Sequence, residues 1–367
     1  MFNIFKQFIV IGLPVTGRSR KKTKQNRCNM AMQLKYIEDH VVRRLLTWDR
    51  LLPVVRQSLA AFSRGALHPR GAVQPLRSSV TVDQHQGTML VMPGLVKGEA
   101  THGGALATKI VSLFPGNSQK GLSTHHALVV LMEPSTGAPL AILEGEAITE
   151  LRTAAASAVA TIELANGRLS AEAEGGTGGV VAVLGAGTQG RAHARVMAHV
   201  FKPREVRIWS RTPASAETLA SVLHSEGIPA VAAPSVREAV ADADVINTCT
   251  LSTTPILRAE WVKAGAHVNS VGAPRPDWQE MEEQLVRSSS VYADSREAAT
   301  KEAGDVIKAG AEVVAEIGEV LLGSRPALRD NTTIFKSLGL AVEDAVTARL
   351  VYDLVMKEEE EQVNRRE

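Results

Sequence analysis

The chain has 367 residues, enough for two domains with cores of their own. Lys and Arg number 41 against 39 Asp and Glu, and a net charge of +2 is too small for a nucleic-acid surface. Hydrophobic content of 44% with 22% charged residues is that of a soluble globular protein with no membrane span, and two cysteines, Cys28 and Cys249, make neither a disulfide framework nor a metal-ligand pattern. A reducing, cytoplasmic compartment is expected.

Residues 1–30 stand apart, with an apolar run broken by Pro14 and then a basic stretch lacking any acid before Glu38. Two readings are open. It is either a disordered extension upstream of Met30 or Met32, or a targeting presequence such as a mitochondrial one. "YIEDHVVRRLLTWDRLLPVVRQSLAAFSRG" then carries apolar residues at helical spacing and stops at Gly65. "AVQPLRSSVTVDQ", "GTMLVMPGLV", "GALATKIVSLF" and "HHALVVLMEPSTGAPLAILEG" alternate apolar and polar positions, and the turn "EPSTGAPL" argues for antiparallel hairpins. "ITELRTAAASAVATIELA" reads as an Ala-rich helix, followed by a flexible "EGGTGG". From Val180 the pattern changes to strands separated by helices, "VVAVLG", "EVRIWS", "DVINTCT", "GAHVNSVG" and "SVYADS", the rhythm of a parallel sheet with right-handed crossovers.

Within that rhythm, "VAVLGAGTQGRAHA" places Gly185, Gly187 and Gly190 as G-x-G-x-x-G between a strand and a helix. Gly185 serves the tight turn, Gly187 the approach of a pyrophosphate, and Gly190 the packing of helix on strand. The fold class that follows is α/β, a Rossmann-type doubly wound parallel sheet. Its second strand ends in "VRIWSRT", where an NAD-binding fold carries an acid. Ser210, Arg211 and Thr212 stand there instead, donors suited to a 2′-phosphate, so NADPH is expected over NADH. Thr250, Leu251 and Val271 close later strands at the ligand-binding edge.

Ahead of the sheet, Arg77, Lys109 and Arg152 are isolated cations among small or apolar neighbours, able to hold a carboxylate if the fold gathers them. Lys109 has two open roles, carboxylate ligand or proton donor. His125 and His126 enter one strand and must face opposite ways, so at most one serves a site.

Taken together, "QPLRS", "VMPG", "ATKIVS", "EVRIWSRT", "GAPRPDWQE", "KEAGDVI", "AEIGEV" and "IFKSLGLAVEDAV" resemble the ornithine cyclodeaminase and mu-crystallin family, on its ketimine-reducing side, over about Tyr36 to Leu354. The resemblance implies a homodimer in which a dinucleotide-binding domain, residues 150–336, is inserted into a smaller α+β substrate and dimerisation domain, 31–149 with 337–367. It implies a dinucleotide held by Thr124, His125, Arg152, Ala186, Thr188, Gln189, Ser210, Arg211, Thr212, Thr250, Leu251 and Val271. It further implies a pocket lined by Arg77, Glu302 and Ser337, with Lys109 nearby, for a cyclic imine carboxylate or thyroid hormone. The expected activity is NAD(P)H-dependent reduction of a cyclic ketimine carboxylate; the alternative is an NADPH-regulated thyroid hormone binding protein with little or no catalysis. One departure stands out. Ornithine cyclodeaminases carry an Asp in a "GGD" or "GAD" phrase where this chain has Gly272, Ala273 and Pro274.

Overall fold

The computed structural model describes residues 34–98, 104–165 and 178–365. The N-terminal extension, residues 101–103 of "THGG" and 174–177 of "EGGTGG" lie outside them. The first helical run is two helices, α1 (Asp39–Leu45) and α2 (Trp48–Arg64), behind a short β1 (Lys35–Ile37). Leu46 and Thr47 between them are extended, and Gly65 ends α2 at φ +80°.

A seven-stranded mixed sheet follows, from β2 (Ala72–Val73), β3 (Ser78–Val82), β4 (Gly87–Val96), β5 (Ala105–Leu113), β6 (His125–Met132) and β7 (Pro139–Glu144). Its hairpins are antiparallel as the alternation predicts, and only β1 pairs in parallel, on β7. Along β5, Ala105, Ala107, Lys109 and Val111 are buried while Ile110 between them is exposed, so one face of this sheet meets the interior and the other does not. Next comes α3 (Glu146–Leu164), in which fourteen of nineteen residues are buried, because alanines let it pack on several sides at once.

From β8 (Val180–Leu184) the chain winds through α4 (Thr188–Phe201), β9 (Glu205–Trp209), α5 (Pro213–Ser225), β10 (Ala230–Ala232), α6 (Val236–Val240), β11 (Val245–Thr248) and β12 (His267–Ser270). It continues with α7 (Glu283–Ser288), β13 (Ser290–Ala293), α8 (Arg296–Glu302), α9 (Gly304–Ala309), β14 (Val313–Glu316), α10 (Ile317–Leu321), β15 (Thr333–Lys336) and α11 (Ala341–Asn364). The eight strands pair in parallel in the order β10-β9-β8-β11-β12-β15-β13-β14. The order turns at β8, and its all-apolar "VVAVL" is buried on both faces, as a central parallel strand must be.

Two buried polar chains hold α3, one to α4 and one to this sheet. His193 bonds Ser157 at 2.9 Å, while Asn269 donates to Thr161 at 2.9 Å and to Asn247 at 3.0 Å. Burial lowers His193 and His267 to about 4, so both are neutral struts. Helix α11 is buried all round over its first two turns: Ala341 to Ala348 are all buried, Glu343 and Asp344 among them. Those two acids belong to the site.

Candidate active site

The glycine turn separates packing from open space. Gly185 sits at φ +119°, and a Cβ there would lie 2.5 Å from the Cys249 carbonyl oxygen; one at Gly190 would collide with the Gly185 carbonyl. Gly187, the N-cap of α4, has nothing within 4 Å of where a Cβ would stand. Its side faces a cavity of about 340 Å³ whose walls include Trp209, Ser210, Arg211, Thr212, Thr250 and Leu251. The space at Gly187, the free amides opening α4 and the cationic second-strand turn fit a dinucleotide with its pyrophosphate on the helix terminus. Ala186 and Thr188 belong to the turn itself.

Beneath this cavity lies a support that sequence reading missed. Glu280 is fully buried, and its Oε1 accepts from the Thr250 amide at 2.7 Å and hydroxyl at 2.5 Å. Lys336, equally buried, donates to the Ser270 hydroxyl at 3.2 Å and to the Gly272 carbonyl. Burial pushes the Glu280 carboxyl up and the Lys336 ammonium down. Both stand in quoted phrases, "PDWQE" and "IFKSLG", but nothing in their spacing tells a buried group from a solvated one.

A second cavity, of about 240 Å³, gathers Arg77, Lys109, His125, Arg152, Gln189, Val271, Pro274 and Ser337. The isolated cations therefore converge. Arg152, which the resemblance assigned to the dinucleotide, stands in this wall with His125, Gln189 and Val271. Its Nε donates to Asp344 Oδ1 at 3.0 Å and its Nη1 to Glu343 Oε2 at 2.8 Å. Lys109 Nζ pairs with the other Asp344 oxygen at 2.7 Å. Arg77 forms an ion pair with Glu302 at 3.1 Å and donates to the Leu338 carbonyl at 3.2 Å. Glu302 thus reaches the site through Arg77. Thr124 is exposed and lines neither cavity, its carbonyl accepting from Phe114.

Burial lowers Lys109 to about 8 against the pull of Asp344, and raises Glu343 to about 7 against the pull of Arg152. His125 falls to about 4 through burial and then the charges of Lys109 and Arg152, so it is a neutral ring facing inward. His126 is exposed on the opposite face beside Glu146, as strand alternation requires.

Asp294 fixes the floor, accepting the Leu338 and Gly339 amides at 2.6 Å each. Gly339, at φ +85°, lets the Arg152 guanidinium close over it; a Cβ would stand 2.7 Å from two of its nitrogens. Of the two acids near Pro274, Asp277 is exposed and Glu280 is turned to Thr250, and neither lines the cavity.

The family model for the ornithine cyclodeaminase/mu-crystallin family matches residues 33–359. The chain belongs to that family. The mouse ketimine reductase mu-crystallin is 44% identical over 317 residues, covering 86% of this chain and 94% of its own. Among solved structures, the Thermococcus litoralis Delta(1)-pyrroline-2-carboxylate reductase in complex with NADH and L-proline superposes with a TM-score of 0.80 at 32% identity, over 89% of this chain and 98% of that one. An archaeal alanine dehydrogenase dimer with bound NAD gives 0.79 at 29% identity, over 89% and 97%. The two solved structures share the α/β architecture, and both hold a nicotinamide dinucleotide.

Proposed function

We propose that the protein is an NAD(P)H-dependent reductase of cyclic ketimine carboxylates, with NADPH preferred. The observation that carries this reading is the gathering of Arg77, Lys109 and Arg152 in one small cavity beside the glycine turn, with Gln189 reaching from the turn into its wall. The named activities of the mouse and Thermococcus relatives support it. When bound, the dinucleotide supplies the hydride for the C=N bond.

The chain's own residues orient the acceptor. Arg77 and Lys109 hold the carboxylate, while Leu90, Met92, Val111 and Pro274 confine the ring and exclude water. A protonated imine already carries the positive charge that the reduction cancels, so the protein needs only to present its face and keep that proton in place. Two roles remain open to Lys109: held near 8, its ammonium is suited either to the carboxylate or to returning a proton to the ring nitrogen. Residues 31–149 with 337–367 would then hold substrate, and 150–336 the dinucleotide.

Thyroid hormone belongs to the same reading, since it carries an amino-acid carboxylate for the same cations and an aromatic body for the apolar wall. A homodimer is supported by the uncovered face of the mixed sheet, where Val80, Ile110 and Leu128 are 55%, 38% and 41% exposed, and by the dimeric archaeal relative. A cytoplasmic location goes with the free thiol at Cys249, and among the described residues no helix is long and apolar enough to cross a membrane.

The test is loss of NADPH absorbance with five- and six-membered cyclic ketimine carboxylates, with and without triiodothyronine. Consumption that the hormone inhibits competitively is expected. No consumption with any ketimine would overturn the reductase reading in favour of hormone binding alone.

A further inference from the structure

Around the second cavity the buried acids outnumber the buried cations. Lys109 from β5 and Arg152 from α3 face Asp344 and Glu343 from α11, with no other described element placing a cation against Glu343. Asp294, at the end of β13, adds a further acid near it, and the neutral His125 of β6 completes the surroundings. Every one of these side chains except His125 is at least nine-tenths buried. A carboxylate ligand entering here adds a negative charge to a dry array that already sets two cations against three acids, which low-dielectric burial makes costly.

One member can absorb that charge. Glu343 uses Oε2 on Arg152, while Oε1 is buried and without a hydrogen-bond partner among the described residues. A proton on Oε1 leaves the Arg152 bond intact and brings the array to neutrality, with Lys109 and Arg152 against Asp344 and Asp294. Asp344 is less suited, since one oxygen takes Arg152 and the other pairs with Lys109. Asp294 is also less suited, because three backbone amides stabilise its charge.

We propose that Glu343 is a positioning residue that takes up a proton when a carboxylate ligand enters, so that the buried array offsets the charge of the ligand that Arg77 and Lys109 hold. The inference rests on the carboxylate reading above. It assigns the electrostatic cost of ligand entry to one carboxyl that touches neither ligand nor dinucleotide. The linkage has a definite sign: ligand binding raises the affinity of Glu343 for a proton, so binding weakens as pH rises through the range where free Glu343 ionises.

The probe is pyrrole-2-carboxylate, a planar ring acid that does not itself titrate near neutrality, added to the protein in the presence of NADPH. Calorimetry in two buffers of different ionisation enthalpy counts the protons taken up. At pH 7 the wild-type protein should take up a substantial fraction of a proton, because burial raises free Glu343 to about 7. Lys109, mostly protonated at that pH, should contribute only about a tenth. From pH 6 to pH 8 the wild-type Kd should rise about tenfold or more. Glu343→Gln, which keeps an acceptor for Arg152, should match the wild-type Kd at pH 6 and lose most of the proton uptake.

Binding with a tenth of a proton or less in the wild type overturns the inference and leaves the carboxylate reading standing. Equal uptake in wild type and Glu343→Gln does the same. Absence of pyrrole-2-carboxylate binding overturns both. A low wild-type count needs no variant, so it overturns the inference even if Glu343→Gln folds poorly.

Discussion

Gly187 and Gly190 are three residues apart in one motif, yet the structure predicts opposite outcomes for the same change. At Gly187 the backbone is at φ −84° and ψ −168°, a conformation alanine adopts freely, and its Cβ would meet nothing within 4 Å. Gly187→Ala gains about 0.4–1 kcal/mol by restricting the unfolded chain, and loses a similar amount because alanine is a poorer N-cap than glycine. Net stability should therefore change by no more than about 0.5 kcal/mol. At Gly190 the added methyl meets the Gly185 backbone carbonyl, which cannot rotate away, so Gly190→Ala should cost about 1–3 kcal/mol or more. Binding follows the other order. A methyl at Gly187 occupies the approach of a phosphate to the helix terminus, and losing one charge-assisted amide contact is worth about 1.5–3 kcal/mol, or about 10- to 150-fold in Kd. Thermal unfolding without cofactor reads the first quantity, and quenching of Trp209, which lines the cavity, by NADPH reads the second. If Gly187→Ala bound NADPH within about threefold of the wild type, or unfolded as readily as Gly190→Ala, the assignment of open space to the pyrophosphate would be refuted.

Arg211→Glu should weaken NADPH by about 2 kcal/mol more than NADH, since it replaces a phosphate donor with a repelling charge; equal losses for both cofactors in parallel titrations would remove Arg211 from the 2′-phosphate. Arg77→Ala should raise the KM for a ketimine carboxylate about 10- to 100-fold while the NADPH Kd stays within about twofold, and adding Glu302→Ala should recover part of the loss, because Glu302 otherwise loses its ion-pair partner close to the site. A collapse of NADPH binding in Arg77→Ala would place that residue in the cofactor site or the fold. Ornithine should not be converted to proline with release of ammonia: Pro274 stands where the cyclodeaminases place their acid, and Asp277 and Glu280 both lie outside the cavity wall. Ammonia release from ornithine with NAD, at a rate comparable with ketimine reduction, would show that another group handles that proton.

What the sequence made legible was local. The glycine turn, the antiparallel hairpins and the first parallel strands each depend on residues within one short window, where alternation or turn chemistry speaks directly. Strands β14 and β15 escaped because "VVAE" and "TIFK" are too short to show a period, and β15 reaches the sheet between β12 and β13 only through long-range pairing. Arg77, Lys109 and Arg152 were visible singly, but no spacing shows that they converge. Glu343 and Asp344 were missed for the same physical reason. Acids on a helix near the end of a chain normally face water, and their partner Arg152 lies 191 residues before Glu343.

That long-range pairing bears on how the site is assembled. The second cavity takes Arg77 from the loop before β3, Lys109 from β5, Arg152 from α3, and Ser337 to Asp344 from the last turn into α11. Breaking one partner out of a buried ion pair costs about 3–5 kcal/mol, so these segments hold one another in register as firmly as the apolar core does locally. Such an array is a poor source of net stability, because apolar residues of the same volume would do as well. Its value lies in geometry. Cations fixed by buried acids cannot swing to meet a ligand of arbitrary shape, and on the proposed reading they would present a carboxylate site with one orientation relative to the glycine turn. A reaction whose difficult step is carried by the dinucleotide asks the protein for little beyond that orientation, and here the burial of charge supplies it.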